Sequence, residues 1–129
     1  MKFIVIEPGL KKATTVECKE LQSALIRAGL NPLSVDFGVV RPGLGIVVAE
    51  FGMYDPPDKQ CYFALGRAMF AGNAVLYGFN ESGETIDADM TGMPLTWLPT
   101  REDCELAFAS GAVVRPAIKV NDVVIWAWP

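Results

Sequence analysis

The sequence of 129 residues contains no histidine. Histidine is the usual general base near neutral pH and the commonest metal ligand in proteins. Its absence therefore excludes Ser-His-Asp and Cys-His catalysis and every zinc site that uses imidazole. The acids and bases that remain are carboxylates, lysine, tyrosine and cysteine, and no two of them stand at a spacing typical of a known catalytic motif. We therefore expect a protein that is not an enzyme and has neither a cofactor nor a metal site.

Charged residues and long apolar runs are also scarce. Eleven Lys and Arg residues stand against fifteen Asp and Glu residues, and the resulting net charge of −4 disfavours binding to a nucleic-acid backbone. The apolar run at residues 3–6 is shorter than the apolar segment of a signal peptide or a membrane span, so we expect a cytoplasmic location and no membrane partner. Hydrophobic residues make up 51% of the sequence, which is enough core material for a single domain over residues 1–129.

The sequence has only three cysteines, Cys18, Cys61 and Cys104, and none of them belongs to a CxxC pair. An odd number of isolated cysteines is typical of reduced thiols in a cytosol rather than of a disulfide framework. Each is predicted on a helix among apolar neighbours, which favours a small buried side chain over a reactive nucleophile. Both separations are 43 residues, so the spacing reflects either three strand–helix–strand repeats or coincidence.

Apolar residues at helical spacing, together with capping residues, predict three helices. The first has Thr14 and Glu17 as a capping box, and its apolar face consists of Leu21, Ala24, Leu25 and Ala28. The second follows Pro56 and Pro57 with Asp58 as its cap, and the third follows Pro99 with Thr100 and Asp103 as a cap pair. The residues at which the three helices end are Gly29, Gly72 and Gly111.

The remaining apolar segments are predicted as strands. They are residues 3–6, 33–40, 45–51, 74–79, 84–88, 113–120 and 123–128. Short turns at residues 41–43, 80–83 and 121–122 join neighbouring strands into hairpins, so the sheet should be largely antiparallel. The predicted fold class is α+β, with two to three helices packed on one face of the sheet. The C-terminal part, residues 94–129, is either integral to this domain or an elaboration of it.

The second predicted helix is apolar on nearly every side. Phe63 and Phe70 are seven residues apart and share a second face, with Tyr62 and Arg67 beside them. A helix that is apolar all round is buried on more than one side, and a domain of this size has little room to bury both. We therefore expect a homo-oligomer whose interface includes Tyr62, Phe63, Arg67 and Phe70.

Two kinds of side chain are candidates for ligand binding. Tyr54, Tyr77 and Trp97 have rings that can stack on a base, and Arg41 and Arg67 carry guanidinium groups that can bind phosphate. Together they predict a small nucleotide-like ligand near a subunit interface. Each also has a structural interpretation, because aromatic residues pack in cores and the glycines after Arg41 form either a phosphate nest or, as the following strand favours, a hairpin turn.

An acidic group offers an alternative interpretation. It comprises Glu81, Glu84, Asp87 and Asp89. These carboxylates form either a solvated strand edge or a surface that docks on a basic groove of another protein. Trp126 and Trp128 alternate along one strand and form either a stacking surface or part of a core or interface.

Four segments carry a resemblance to a known family. They are MKFIVIEPG, ELQSALIRAG, GIVVAEFG and GNAVLYGFNESGETID, and GMYDPPDKQCYFALGRAMFAG fits more loosely. With them, about the first 90 residues resemble a family of small phage- and plasmid-encoded domains of unknown function, while the tail from Pro94 to Pro129 departs from it. The resemblance implies a mobile-element source and transfers no catalytic residue.

The resemblance and the residues together predict an accessory protein that counters a host defence or regulatory pathway by binding in the host cytosol. It does so either by sequestering a small nucleotide-like ligand in a homo-oligomer or by docking its acidic surface on a host protein. A structural or assembly subunit and a small carboxylate-based enzyme are the remaining alternatives.

Overall fold

The computed structural model describes residues 1–49 and 61–114, together with the backbone of residues 117–120 and 123–126. The helices are α1, Leu21–Arg27, and α2, Arg101–Ser110, and a single 3₁₀ turn spans Pro8–Leu10. The strands are β1 Lys2–Glu7, β2 Lys12–Glu17, β3 Val35–Arg41, β4 Leu44–Ala49, β5 Tyr62–Leu65, β6 Ala68–Ala71, β7 Ala74–Phe79, β8 Thr85–Ile86, β9 Leu95–Leu98, β10 Ala117–Val120 and β11 Val123–Trp126.

The strands form three sheets, and every pair of named strands is antiparallel. Sheet A has the order β2-β1-β7-β4-β3, with β8 also paired to β7. Sheet B has the order β6-β5-β9, and β10 and β11 form a separate hairpin. The α+β class and the largely antiparallel pairing predicted from the tight turns are therefore confirmed.

The inner strands of sheet A, β1, β7 and β4, are covered by apolar residues on both faces. Along β1, Phe3 and Val5 pack against α1, whereas Ile4 and Ile6 pack against sheet B. All four are buried, as the alternation of side chains along a strand allows. A strand covered on both sides has apolar residues at every position, which explains why residues 3–6, FIVI, include no polar residue.

Sheet B separates sheet A from α2. Phe63 and Leu65 of β5 point toward sheet A, and Tyr62 and Ala64 point toward the opposite side, where Cys104 of α2 packs. The layers thus follow the order α1, sheet A, sheet B and α2. The two helices cover different sheets, rather than sharing one face of a single sheet.

The second predicted helix is wrong, because the structure has the β5–β6 hairpin in its place. Gly66 has φ +59° and allows the tight turn, after which the chain returns antiparallel to itself. Phe63 and Phe70 are directly opposite each other across the hairpin, with ring centroids 5.5 Å apart. A separation of seven residues fits two helical turns and also fits this hairpin, and the aromatic residues favour the extended form. The predicted start of that helix at Asp58 lies outside the described residues.

The first predicted helix begins too early. Thr14 and Glu17 lie in β2, whose Thr-Thr-Val run prefers extended backbone, and helix α1 begins at Leu21. The predicted apolar face is confirmed, since Ala24, Leu25 and Ala28 are buried against sheet A.

The third predicted helix is confirmed as α2. The hydroxyl of Thr100 accepts a hydrogen bond from the backbone N–H of Asp103 at 3.1 Å, and the Asp103 carboxylate accepts one from the N–H of Thr100 at 3.2 Å. This reciprocal cap satisfies two N–H groups that would otherwise lack a partner. The helix ends at Ser110, and the predicted Gly111 is its C-terminal cap, with φ +76°.

The cysteines do not occupy equivalent places. Cys18 follows β2 and Cys61 precedes β5, so the prediction that these two lie on helices is wrong, whereas Cys104 lies on α2. The spacing of 43 residues therefore corresponds to no structural repeat in the described part of the chain.

Part of the C-terminal segment is built into the fold. Strand β9 pairs with β5, and α2 packs on sheet B. Sequence patterns did not predict β2, β5, β6 or β9 as strands. No helix among the described residues is both long enough and apolar enough to cross a membrane.

Phe63 and Phe37 provide a paired test of this architecture. Phe63 is 0% exposed and Phe37 is 62% exposed. Replacing Phe63 with alanine leaves a cavity between the sheets, so we expect Phe63→Ala to lower the free energy of unfolding by about 3–5 kcal/mol. We expect Phe37→Ala to lower it by less than about 1 kcal/mol, since most of its ring is already in water. Urea unfolding followed by circular dichroism measures both, and equal losses would contradict the assigned layers.

Candidate functional site

The structure does not bring the predicted ligand-binding residues together. Tyr77 lies on the α1 face of sheet A, whereas the half-buried Trp97 packs between the sheets opposite Phe63. Arg67 is exposed in the turn between β5 and β6. Tyr54 lies outside the described residues, as does Trp128.

Arg41 has a structural role that occupies its guanidinium group. Its Nη1 donates a hydrogen bond to the carbonyl oxygen of Thr91 at 2.8 Å, and its Nη2 donates one to the carbonyl oxygen of Asp89 at 2.7 Å. These two bonds tie the end of β3 to the segment that follows β8. Gly43 lies in a hairpin turn with φ +85°, as the following strand favoured, and Gly45 is already part of β4.

The predicted acidic group is divided between two roles. Asp87 accepts a hydrogen bond from the backbone N–H of Lys2 at 2.8 Å. Hydrogen bonds from the hydroxyl and the backbone N–H of Thr91 lower the pKa of Asp89, with a smaller contribution from the Arg41 charge. Both residues therefore organise local backbone. Glu81 and Glu84 are both exposed in the loop between β7 and β8.

Two predicted interface residues are not accessible. Tyr62 is 1% exposed and Phe63 is 0% exposed, because β5 is the central strand of sheet B and is covered on both sides. Phe70 is half-buried against Phe63. The predicted interface required a helix at these residues, and the structure has the β5–β6 hairpin there instead.

A different surface of sheet A has the properties of a binding site. Four apolar side chains lie beside one another on the α1 face of strands β3 and β7: Phe37, Val39, Tyr77 and Phe79. We call them the apolar strip. The rings of Phe37 and Tyr77 meet edge to face with centroids 6.3 Å apart, and those of Tyr77 and Phe79 are 6.1 Å apart.

Gly45 explains how Tyr77 reaches this position. Gly45 lies on β4 between Val39 and Tyr77, and a Cβ atom at residue 45 would lie 2.2 Å from the Tyr77 ring. The ring of Tyr77 therefore lies over Gly45 and covers the backbone of β4 between β7 and β3. A ring supported by backbone below and by rings on both sides presents a firm apolar surface.

The strip is exposed to an unusual degree for its composition. Phe37 is 62% exposed and Val39 is 67% exposed, and Tyr77 and Phe79 are half-buried. Single exposed apolar residues are common on protein surfaces, but adjoining ones that include three aromatic rings are typical of interaction sites.

An open groove of about 420 Å³ extends the strip at one end. Phe79 lines it together with Pro42 and Gly43 of one turn and Asn80 and Glu81 of the neighbouring loop. The Asn80 side chain stabilises that loop, since its Oδ1 accepts hydrogen bonds from the backbone N–H groups of Ser82 at 3.1 Å and Glu84 at 2.9 Å. The groove thus has an apolar floor and an acidic rim.

The described residues contain no buried charged side chain, and no group of three or more acidic or thiol side chains among them could hold a metal ion. Burial between α2 and sheet B raises the pKa of the Cys104 thiol to about 12, so the thiol stays protonated. A protonated, enclosed thiol is a poor nucleophile and is part of the core.

Of the four side chains in the strip, sequence patterns identified Tyr77 but missed Phe37, Val39 and Phe79. Phe37 and Val39 lie in a segment predicted as a strand, in the alternating pattern Val35-x-Phe37-x-Val39. Alternation indicates that one face is apolar. It does not indicate whether another layer covers that face.

No family model matches the chain, and neither the curated proteins nor the solved structures provide a match. The resemblance to phage- and plasmid-encoded domains therefore stays a prediction, and the apolar strip is interpreted from its own geometry.

Ionisation of Cys104 makes stability depend on pH in a defined direction. Burial raises the pKa of this thiol from 9.0 to about 12, so the folded chain holds the proton more tightly than the unfolded chain does. The contribution of Cys104 to stability is complete below pH 9.0 and is lost as pH rises toward about 12. We expect wild type to lose more of its free energy of unfolding than Cys104→Ala between neutral pH and a pH between those two values.

Urea unfolding of both proteins at the two pH values measures this effect. The difference between them at neutral pH gives the packing cost of the substitution, and only the change in that difference reports ionisation. An unchanged difference would contradict a buried, protonated thiol.

Proposed function

We propose that this protein is a non-enzymatic binding protein that docks another protein on the apolar strip. The observation that carries the proposal is the exposure of Phe37 and Val39, at 62% and 67%, beside two further aromatic rings. Covering these side chains removes apolar surface from water, which is the main source of affinity in protein association.

The charges around the strip favour a protein over a nucleotide as the partner. Glu81 lines the adjoining groove and Glu84 lies in the same loop, and both carboxylates would repel a phosphate. Arg41, the guanidinium group on the strand that carries Phe37 and Val39, instead binds two backbone carbonyls. The partner we propose therefore has an apolar patch bordered by lysine or arginine.

This proposal combines two expectations drawn from the sequence, aromatic contact through Tyr77 and docking by acidic residues. The role against a host defence or regulatory pathway rests on the resemblance alone and stays a prediction. Sequestration of a small nucleotide-like ligand is the competing function, and the experiment below distinguishes it.

The test compares substitutions at two side chains of equal exposure. Phe37 in the strip and Leu106 on α2 are each 62% exposed. We expect Phe37→Glu to abolish capture of a protein partner from lysate of the natural host cell, whereas Leu106→Glu captures it as wild type does. With the purified partner, we expect Phe37→Glu to raise the dissociation constant at least about tenfold, as for a residue at the centre of an interface.

Glu81→Lys tests the electrostatic part of the proposal. Reversing this charge should slow association with a basic-rimmed partner and weaken the dependence of the association rate on salt, which surface plasmon resonance measures. Equal capture by Phe37→Glu and wild type would overturn the proposal. So would retention of a small molecule, and no protein, when wild type is examined by native mass spectrometry.

A further inference from the structure

Strand β3 is an edge of sheet A. Among the described strands it pairs with β4 alone, so the backbone N–H and C=O groups on its other side have no strand partner there. Natural proteins usually protect such edges with charged residues, prolines or bulges. In β3 the bulge comes only at the end, between Val39 and Arg41, and Asp36 is the one charged residue before it.

The side chains on the α1 face of β3 follow the same order from either end of the strand. The side chains on the α1 face are Val35, Phe37 and Val39, and Phe37 is at the centre. An interface between identical copies related by a two-fold axis must be complementary to itself. An antiparallel pair of β3 strands with the axis at Phe37 meets this condition, because Phe37 is then opposite its own copy and Val35 is opposite Val39 of the second copy.

We propose that two copies of this chain associate edge to edge through β3 in this register. Each opposing pair then joins apolar residues on the same face, and aromatic and β-branched pairs of this kind stabilise antiparallel strands. On the other face Asp36 is opposite Gly38 of the second copy, so no carboxylate directly faces another. Sheet A continues across the axis into sheet A of the second copy.

The dimer also extends the apolar strip. Phe37 is at the axis in each copy, and Tyr77 and Phe79 lie behind it, toward the centre of that copy's sheet A. The two strips therefore meet at the axis and form one continuous apolar surface. The proposal thus deepens the proposed function and rests on it in one respect, that this surface is the one that binds. A partner with its own two-fold symmetry, or two copies of a partner, would cover the doubled strip.

The contact between two short strand edges is smaller than the about 1,600 Å² of a standard interface, so we expect monomer and dimer to exchange at micromolar concentrations. Sedimentation velocity of the purified full chain over a series of micromolar concentrations should show the sedimentation coefficient rising toward that of a dimer. Val39→Lys places a charge on the edge and should shift the midpoint of this series at least about tenfold upward in concentration. Leu106→Lys, on α2, should leave it unchanged.

Cysteine cross-linking tests the register. In a Cys18→Ser, Cys61→Ser background, the remaining Cys104 is 0% exposed and protonated. Directly opposite Cβ atoms are about 5 Å apart. A short thiol cross-linker should therefore join Phe37→Cys to its own copy, and should join a mixture of Val35→Cys and Val39→Cys chains, but neither of those two alone. Leu106→Cys, as exposed as Phe37, is the control that should not cross-link.

A chain that stays monomeric through the whole concentration series would overturn the proposal. A dimer in which Phe37→Cys cross-links no faster than Leu106→Cys would overturn it also, and so would rapid self-cross-linking of Val39→Cys, since the axis would then be elsewhere. These outcomes are separate from failure of the proposed function. If the chain is monomeric but Phe37→Glu still abolishes partner binding, the dimer is wrong and the proposed function holds. If the chain forms the cross-linked dimer but Phe37→Glu leaves partner binding unchanged, the dimer holds and the proposed function is wrong.

Discussion

The burial of the inner strands of sheet A (β1, β7 and β4) on both of their faces is the constraint on which the rest of the structure depends. Phe3 and Val5 require a helix on one side, and Ile4 and Ile6 require a second sheet on the other. Phe63 and Leu65 of sheet B cover Ile4 and Ile6. The opposite face of sheet B is also apolar and would be exposed to water without another layer. Helix α2 covers that face through Cys104. Each layer therefore buries the apolar face that the preceding layer presents.

This chain of requirements explains why some elements were predictable and others were not. Helix α2 was predicted at both ends because its cap, Thr100 with Asp103, and its terminal Gly111 are local signals. Strand β1 was predicted because a short apolar run with no polar interruption suits a strand covered on both sides. The hairpin of β5 and β6 was not, since Phe63 and Phe70 satisfy helical periodicity equally well. What decides between the two forms is the packing of Phe63 against sheet A, which is separated from it in sequence.

The candidate site shows the same division between local and long-range information. Tyr77 was identified from its side-chain chemistry. The position of its ring in the strip depends on Gly45, which comes 32 residues earlier and leaves room for the ring. Phe37 and Val39 were in a correctly predicted strand, but α1 packs against β1 and β7 and leaves both side chains exposed. The sequence of β3 alone does not indicate which of its faces another layer covers. Arg41 was predicted to contact a ligand because a guanidinium group can bind phosphate. Its real partners, the carbonyls of Asp89 and Thr91, are about 50 residues away.

The close approach of Tyr77 to Gly45 ties the evolution of two positions together. Any side chain at residue 45 would displace the ring, and a smaller residue at 77 would leave the glycine backbone bare between two strands. A lineage that keeps the strip must therefore keep both residues, while a lineage that abandons it is free to fill position 45 and strengthen β4 as an ordinary strand. In related sequences, glycine at 45 with an aromatic residue at 77 would mark the descendants that still use this surface.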